Sequence, residues 1–311
     1  MTRRSLHRPC RGVAIVSVLL VVALVTLIVS SLFFREHVSV RSVENRLSLA
    51  QARWIERAAL DWARVILLAD ARSGPTDHLQ EPWAVPVADT QLDETVTAGA
   101  SLSDDGRSAM LAGQMFDAQS RMNLSNLELG GKPSELHVEA LRRLLEILRL
   151  PTKLADTVAE RVVLSHQHRV DEQWVPPVEL PLMRPADLLG LAGFDADIVE
   201  TLAPFVVFLP RMTTVNVNTA AAEVLAALVP GGDLAGARRF VAKRERTFHR
   251  DLEAARAQFD GNPVLRTDLF SVGSGYFLVH GMVRFGRVES VSETLLERSA
   301  QRVDVVWQRR D

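Results

Sequence analysis

Residues Val13 to Phe34 form an uncharged run of 22, VAIVSVLLVVALVTLIVSSLFF, and no other stretch limits the possible fold so strongly. As a helix this run is roughly 33 Å long, about the thickness of a bilayer hydrocarbon core. Upstream lie Arg3, Arg4, Arg8 and Arg11 with no acid; downstream the signs mix at Arg35, Glu36, Arg41 and Glu44. The positive-inside rule predicts a cytoplasmic amino terminus and an extracytoplasmic body.

Three readings of this terminus compete. A cleaved secretory signal has a shorter apolar stretch and a small-residue cut site directly after it; here the nearest small-x-small pattern, Ala50-Gln51-Ala52, lies beyond charged residues. A plain uncleaved anchor fits length and charge. The third reading rests on Arg11-Gly12 directly before the apolar run. It resembles the type IV prepilin signature, in which prepilin peptidase cuts after the glycine and the new terminal residue is methylated. Cleavage would fall between Gly12 and Val13, and loss of four arginines would take the net charge from −2 to −6. Most pilins carry a glutamate at the fifth mature position; here Ser17 stands there. A buried carboxylate is costly unless paired, so a chain without it lacks the contact to a neighbour's terminal amine. The only cysteine, Cys10, lies in the leader, which excludes an intrachain disulfide.

Beyond the apolar run, helical spacing continues through Val40, Val43, Leu47, Trp54, Ala58, Trp62, Val65 and Ile66. No glycine or proline interrupts before Ser73-Gly74-Pro75. The pattern predicts one helix to about Asp70, half in the bilayer and half packed on the body by this apolar face, with Trp54 and Trp62 as packing residues. Short β-prone runs follow, Glu94 to Leu102 and Ala109 to Ala118, divided by the Ser103-Asp104-Asp105-Gly106 turn. Helical period returns from Pro133 to Pro151 and from Thr152 to Leu164, and again in short helices at Arg184–Leu191, Ala196–Leu202, Asn218–Leu228 (Asn218 as N-cap) and Leu234–Arg246. Gln173 to Pro185, with four prolines, reads as a connector. Tyr276 to Arg287 is a strand with Phe277, Val279, Val283 and Phe285 on one face, and Glu289–Leu296 and Arg302–Trp307 are its candidate partners.

Several segments, in order, are similar to the K family of type II secretion minor pseudopilins. Gln51-Ala52-Arg53-Trp54 resembles its Q-A-R-W/Y, and Asp77 to Ala84 its D-x-L-x-E-x-W-A. Asp117 to Leu127 resembles D-x-x-G-R-F-N-L-N-x-L, with Ser120 and Met122 as departures. Leu209-Pro210, then Val215-Asn216-Val217-Asn218-Thr219-Ala220, resemble L-P and I-N-V-N-T-A, and Ser271 to Val279 the start of the final sheet. The missing glutamate at Ser17 is also a family trait.

The resemblance implies an α+β fold: a pilin-like long N-terminal helix packed on a small antiparallel sheet, with an all-helical (SAM/helix-hairpin-helix-like) insertion. The corresponding parts are a cleaved leader 1–12, a transmembrane half 13–34, pilin-like segments 35–124 and 264–311, and a helical insertion 125–263. It implies an assembly subunit at the pseudopilus tip, with minor pseudopilins I and J, the inner-membrane platform and prepilin peptidase as partners, a body in the periplasm, and no enzymatic activity.

Family members hold calcium on an acid-rich stretch after the second helix. Here that stretch, Val163 to Glu172, has few acids, so no cofactor is expected, with calcium the candidate if one binds. His166-x-His168 has no evident third ligand for zinc. Nucleophile-elbow, Walker, H-E-x-x-H and paired-cysteine motifs are absent. The alternative class is a membrane-anchored, competence-type DNA receptor, because Val215 to Arg246 resembles a helix-hairpin-helix with Gly231-Gly232 and a following basic helix. The negative charge of the chain opposes it.

Overall fold

The computed structural model describes residues 11–92, 109–170 and 173–310. The leader up to residue 10, the expected strand Glu94–Leu102, the Ser103–Gly106 turn, and Asp171 and Glu172 lie outside the described residues.

One helix, α1 (Arg11–Ser73), runs 63 residues without a break, about 95 Å at the helical rise. Inside the apolar run Thr26 turns its hydroxyl back onto the carbonyls of Val22 and Ala23 at 3.0 and 2.9 Å, which satisfies a polar group that lipid cannot. The helix stops where Gly74-Pro75 removes helical propensity and a backbone donor.

The C-terminal half of α1 packs on a five-stranded sheet of β1 (Val87–Leu92), β2 (Ala109–Asp117), β3 (Tyr276–Phe285), β4 (Val288–Arg298) and β5 (Val303–Arg310). The strands neighbour one another in that order, all antiparallel. The β3–β4 hairpin turns on Gly286-Arg287, with Gly286 at φ +59°, a conformation glycine adopts without strain. The predicted strand at 276–287 is therefore β3; of its two proposed partners, Glu289–Leu296 lies in β4 and pairs with it, whereas Arg302–Trp307 lies in β5 and pairs with β4 instead. Sequence reading did not find β1.

The face of α1 that meets the sheet differs from the expected one. Ser48, Ala52, Glu56, Ala63 and Leu67 are buried, whereas Trp54 remains 71% exposed, Val65 63% and Trp62 53%. Small residues let the helix backbone approach the strands: Ala52 packs with Ala109, Val283 and Phe285, and Leu67 with Trp83, Phe277, Leu296 and Val303. The larger side chains are left on the opposite side. Of the expected packing set only Ile66 joins the core margin.

Between β2 and β3 lies a helical block of α2 (Glu135–Ile147), α3 (Leu154–Leu164), α4 (Ala196–Leu202), α5 (Ala222–Leu228), α6 (Leu234–Arg244) and α7 (Leu252–Arg256). Its apolar core gathers Leu141, Leu144, Val158, Leu225, Phe240 and Phe270, with the Phe240 and Phe259 rings stacked at 3.8 Å. Two short parallel pairs, Met122–Asn123 with Val206–Val207 and Val215–Asn216 with Phe270–Ser271, stitch its ends together. α5 begins at Ala222 with Ala221 as its cap position, so Asn218 does not cap it. The Asn218 side chain instead holds the backbone of His249, accepting from its N–H and donating to its carbonyl, both at 2.9 Å.

Candidate functional site

Gly12 and Val13 lie in the first turn of α1, and Ser17 is exposed on its apolar half. Further along, beyond the length a bilayer can cover, α1 presents Val40, Val43, Leu47, Trp54, Trp62 and Val65 to solvent. Scattered apolar residues on a surface are ordinary, but a contiguous stripe of this size marks an interaction surface. Beside it, α1 and strands β2 and β3 enclose a mostly apolar hollow of about 250 Å³, lined among others by Ala59, Trp62, Ala63, Gly113 and Gly281.

At the far end of α1 the family-like motifs converge on one buried polar junction. Asp117, at the end of β2, is 2% exposed. Its carboxylate accepts from Thr219 Oγ1 (2.5 Å), Ser274 Oγ (2.6 Å), Asn216 Nδ2 (3.0 Å) and the Gln119 N–H (2.8 Å). Burial nevertheless pushes its pKa up to about 6, with the hydrogen bonds opposing. Asn123 Nδ2 donates to Asn126 Oδ1 and Arg211 O, and Asn123 Oδ1 accepts from the N–H groups of Ser125 and Leu209. These bonds tie the 117–127 segment to the 206–219 segment and to Ser274. Sequence reading found the motifs through resemblance alone; their common role is to satisfy one another in a dry interior.

The D-x-L-x-E-x-W-A element completes the junction. Asp77 accepts from Arg298 at 2.6 Å and from the Ser274 N–H at 2.7 Å, while Arg298 also donates to Asp70 at 2.6 Å and lies 4.6 Å above the Phe277 ring. Glu81 accepts from Trp83 Nε1 at 2.6 Å and from the His78 N–H at 3.0 Å. Burial first, and the neighbouring Glu81 second, raise the Asp70 pKa to about 6, with Arg298 opposing. Gly273 fits where a Cβ would come within 2.2 Å of the Pro75 carbonyl oxygen, so a side chain there is excluded.

Asp70, Asp77 and Glu81 bring carboxylate oxygens within 4.8 Å of one another. The Arg298 guanidinium already sits among them as the counter-charge, so the group is an ion-pair network rather than a cation cradle. In the segment weighed for calcium, described residues 163–170 contain no carboxylate. The His166 Nδ1 there lies 2.8 Å from the Val162 carbonyl. By themselves, the donors of the described residues 163–170 do not make up a calcium site.

The helix-hairpin-helix geometry also fails to make a phosphate site. Asp233, after Gly231-Gly232, caps α6 by accepting from the Gly236 N–H at 2.7 Å. Its carboxylate therefore stands where a phosphate would sit. Arg238 pairs with Glu223, and Arg239 and Lys243 with Asp260.

Two family models, each described as type II secretion system (T2SS) protein K, match residues 120–211 and 215–272. Type II secretion system protein K of Pseudomonas aeruginosa is 32% identical, covering 94% of this chain and 90% of that protein. The Klebsiella pneumoniae protein of the same name is 28% identical, covering 97% of each chain. A chain in the crystal structure of the GspK–GspI–GspJ complex from the enterotoxigenic Escherichia coli type 2 secretion system is 22% identical. It superimposes with a TM-score of 0.67 over 86% of this chain and 99% of that one, a likeness of fold. With a relative at this identity aligned over nearly the whole of both proteins, the chain belongs to the type II secretion system protein K family of minor pseudopilins.

Proposed function

We propose that the chain is the tip subunit of a periplasmic pseudopilus and serves export of folded proteins across the outer membrane. Residues 13–34 anchor it in the bacterial inner membrane, with the amino terminus in the cytoplasm and the body in the periplasm. Prepilin peptidase cuts between Gly12 and Val13, and Val13 becomes N-methylated. Subunits I and J, and the inner-membrane platform, are its partners; the function is assembly, not catalysis.

The observation that carries this is the apolar stripe of α1 outside the bilayer, from Val40 to Val65. Water is a poor neighbour for six large side chains on one face, and helices of companion subunits would cover them. The solved complex of a fold relative with two other subunits supports that choice. Ser17 supports the terminal position: a subunit above would find no carboxylate for its amine. The helical block, inserted between β2 and β3 at the end of α1 away from the membrane, obstructs stacking there.

Coexpression with prepilin peptidase, then mass spectrometry of the amino terminus, tests the processing step. The expected product begins at methylated Val13; an intact leader, or a cut after Ala52, would refute it. For assembly, copurification of I and J with the full chain is expected to be lost in Leu47→Glu/Trp54→Glu. Undiminished capture by that variant would remove α1 as the interface.

A further inference from the structure

A depression of about 950 Å³ opens where α6, the following turn and α7 meet, lined by Ala242, Lys243, Arg246, Phe248, His249 and Arg250 among others. It lies at the opposite end of α6 from the Gly231-Gly232 hairpin. Arg246 and Arg250 are exposed at its edge, and among the described residues neither pairs with a carboxylate. Lys243 joins them while sharing Asp260 with Arg239. His249 stands in the wall, 6% exposed, and its Nε2 has no hydrogen-bond partner. Behind it Arg244 is equally buried; it donates to the Val217 carbonyl at 2.6 Å and leaves its Nε without a partner. Asp251 is the one acid in the lining, and its carboxylate is turned to the Ala254 N–H at 2.7 Å.

A net-acidic chain thus concentrates unpaired cationic groups around one concave surface, with a buried, unsatisfied imidazole beneath. Unpaired buried polar groups are uncommon and call for a partner. The depression is far larger than a single phosphate, and Ala242, Phe248, Ala254 and Ala257 give it an apolar floor beside the cations. We propose that this depression docks a protein segment in which acidic residues alternate with apolar ones, its carboxylates meeting Arg246, Arg250 and Lys243. It lies in the helical block, separate from the α1 stripe, and the proposal does not depend on the pseudopilin assembly described above.

The test uses the full chain in detergent micelles and a short fluorescent peptide of alternating glutamate and leucine. Saturable binding that weakens with salt is expected, reduced about tenfold or more by Arg246→Glu/Arg250→Glu. Because both arginines are exposed and unpaired, that variant keeps the wild-type melting temperature; should it not fold, Arg246→Gln/Arg250→Gln replaces it. The imidazole supplies a second readout. Burial, and then the Arg244 charge, hold the His249 pKa below its ordinary value, with Asp251 opposing. An arriving carboxylate would raise it, which carbon-13 histidine NMR follows, the signal being identified by its loss in His249→Gln. Absent binding, undiminished binding by both arginine variants, an unmoved His249 titration, complete displacement by equimolar inorganic phosphate, or preference for an oligonucleotide over the peptide would each overturn the proposal.

Discussion

Replacing Arg298 with methionine would leave Asp70 and the almost fully buried Asp77 without their guanidinium. Breaking a buried pair from one side costs about 3–5 kcal/mol, so urea unfolding of Arg298→Met should show a loss of that order, and Arg298→Lys an intermediate one. Asp117 makes a pH-dependent prediction. Its pKa in the folded chain, about 6, lies above the ordinary 3.8, so the folded state holds the proton more tightly. The stability this contributes is complete below the ordinary value and is lost as pH rises through about 6. The half-buried His78 and the buried His137 and His249, lowered by desolvation, push the other way, so a difference is the cleaner measure. Relative to Asp117→Asn, the wild-type melting temperature should fall between about pH 4 and pH 7; parallel curves would contradict the assignment. None of these roles was legible in sequence. The motifs marked Asp77, Asp117, Asn216 and Thr219 as a family set, yet a buried hydrogen-bond network assembled from residues up to 228 positions apart has no local signature.

The extent of α1 was legible because its limits are local chemistry: an uninterrupted run of helix-compatible residues, then Gly74-Pro75. Its orientation was not. Two faces carry helical period, and the one with the larger apolar residues is outward while Ala52 and Ala63 meet the sheet. Periodicity reports amphipathic character but cannot say whether the body or another subunit covers the stripe. The two faces respond oppositely to substitution. Ala63→Leu overpacks a tight contact and should cost about 1–3 kcal/mol in the isolated chain. Trp54→Glu should change that stability by no more than about 0.5 kcal/mol while weakening association with I and J. Thermal melts of both variants beside copurification separate the cases. In the strands, alternation of large apolar residues gave β3 and its hairpin partner β4, whereas β1, VADTQL, carries too little apolar pattern to announce itself.

At the scale of the molecule, the fold class followed from the order of periodicities, helix then strands then helices then strands. That order could not specify that one charged and polar junction joins the end of α1, the sheet and the helical block. The block leaves β2 after Asp117 and returns at Tyr276, and Asp117 lies opposite Phe277 in the ladder. Those two positions are 160 residues apart along the chain, so pairing β2 with β3 from a disordered chain would close a very long loop against chain entropy. A block folded beforehand holds Asn123 and Val207 side by side, and Asn216 and Ser271 likewise, which shortens the path between the strand ends. The sheet should therefore zip last, after the helical core has condensed, and during synthesis β1 and β2 must wait, unpaired on one side, until nearly the whole sequence has emerged.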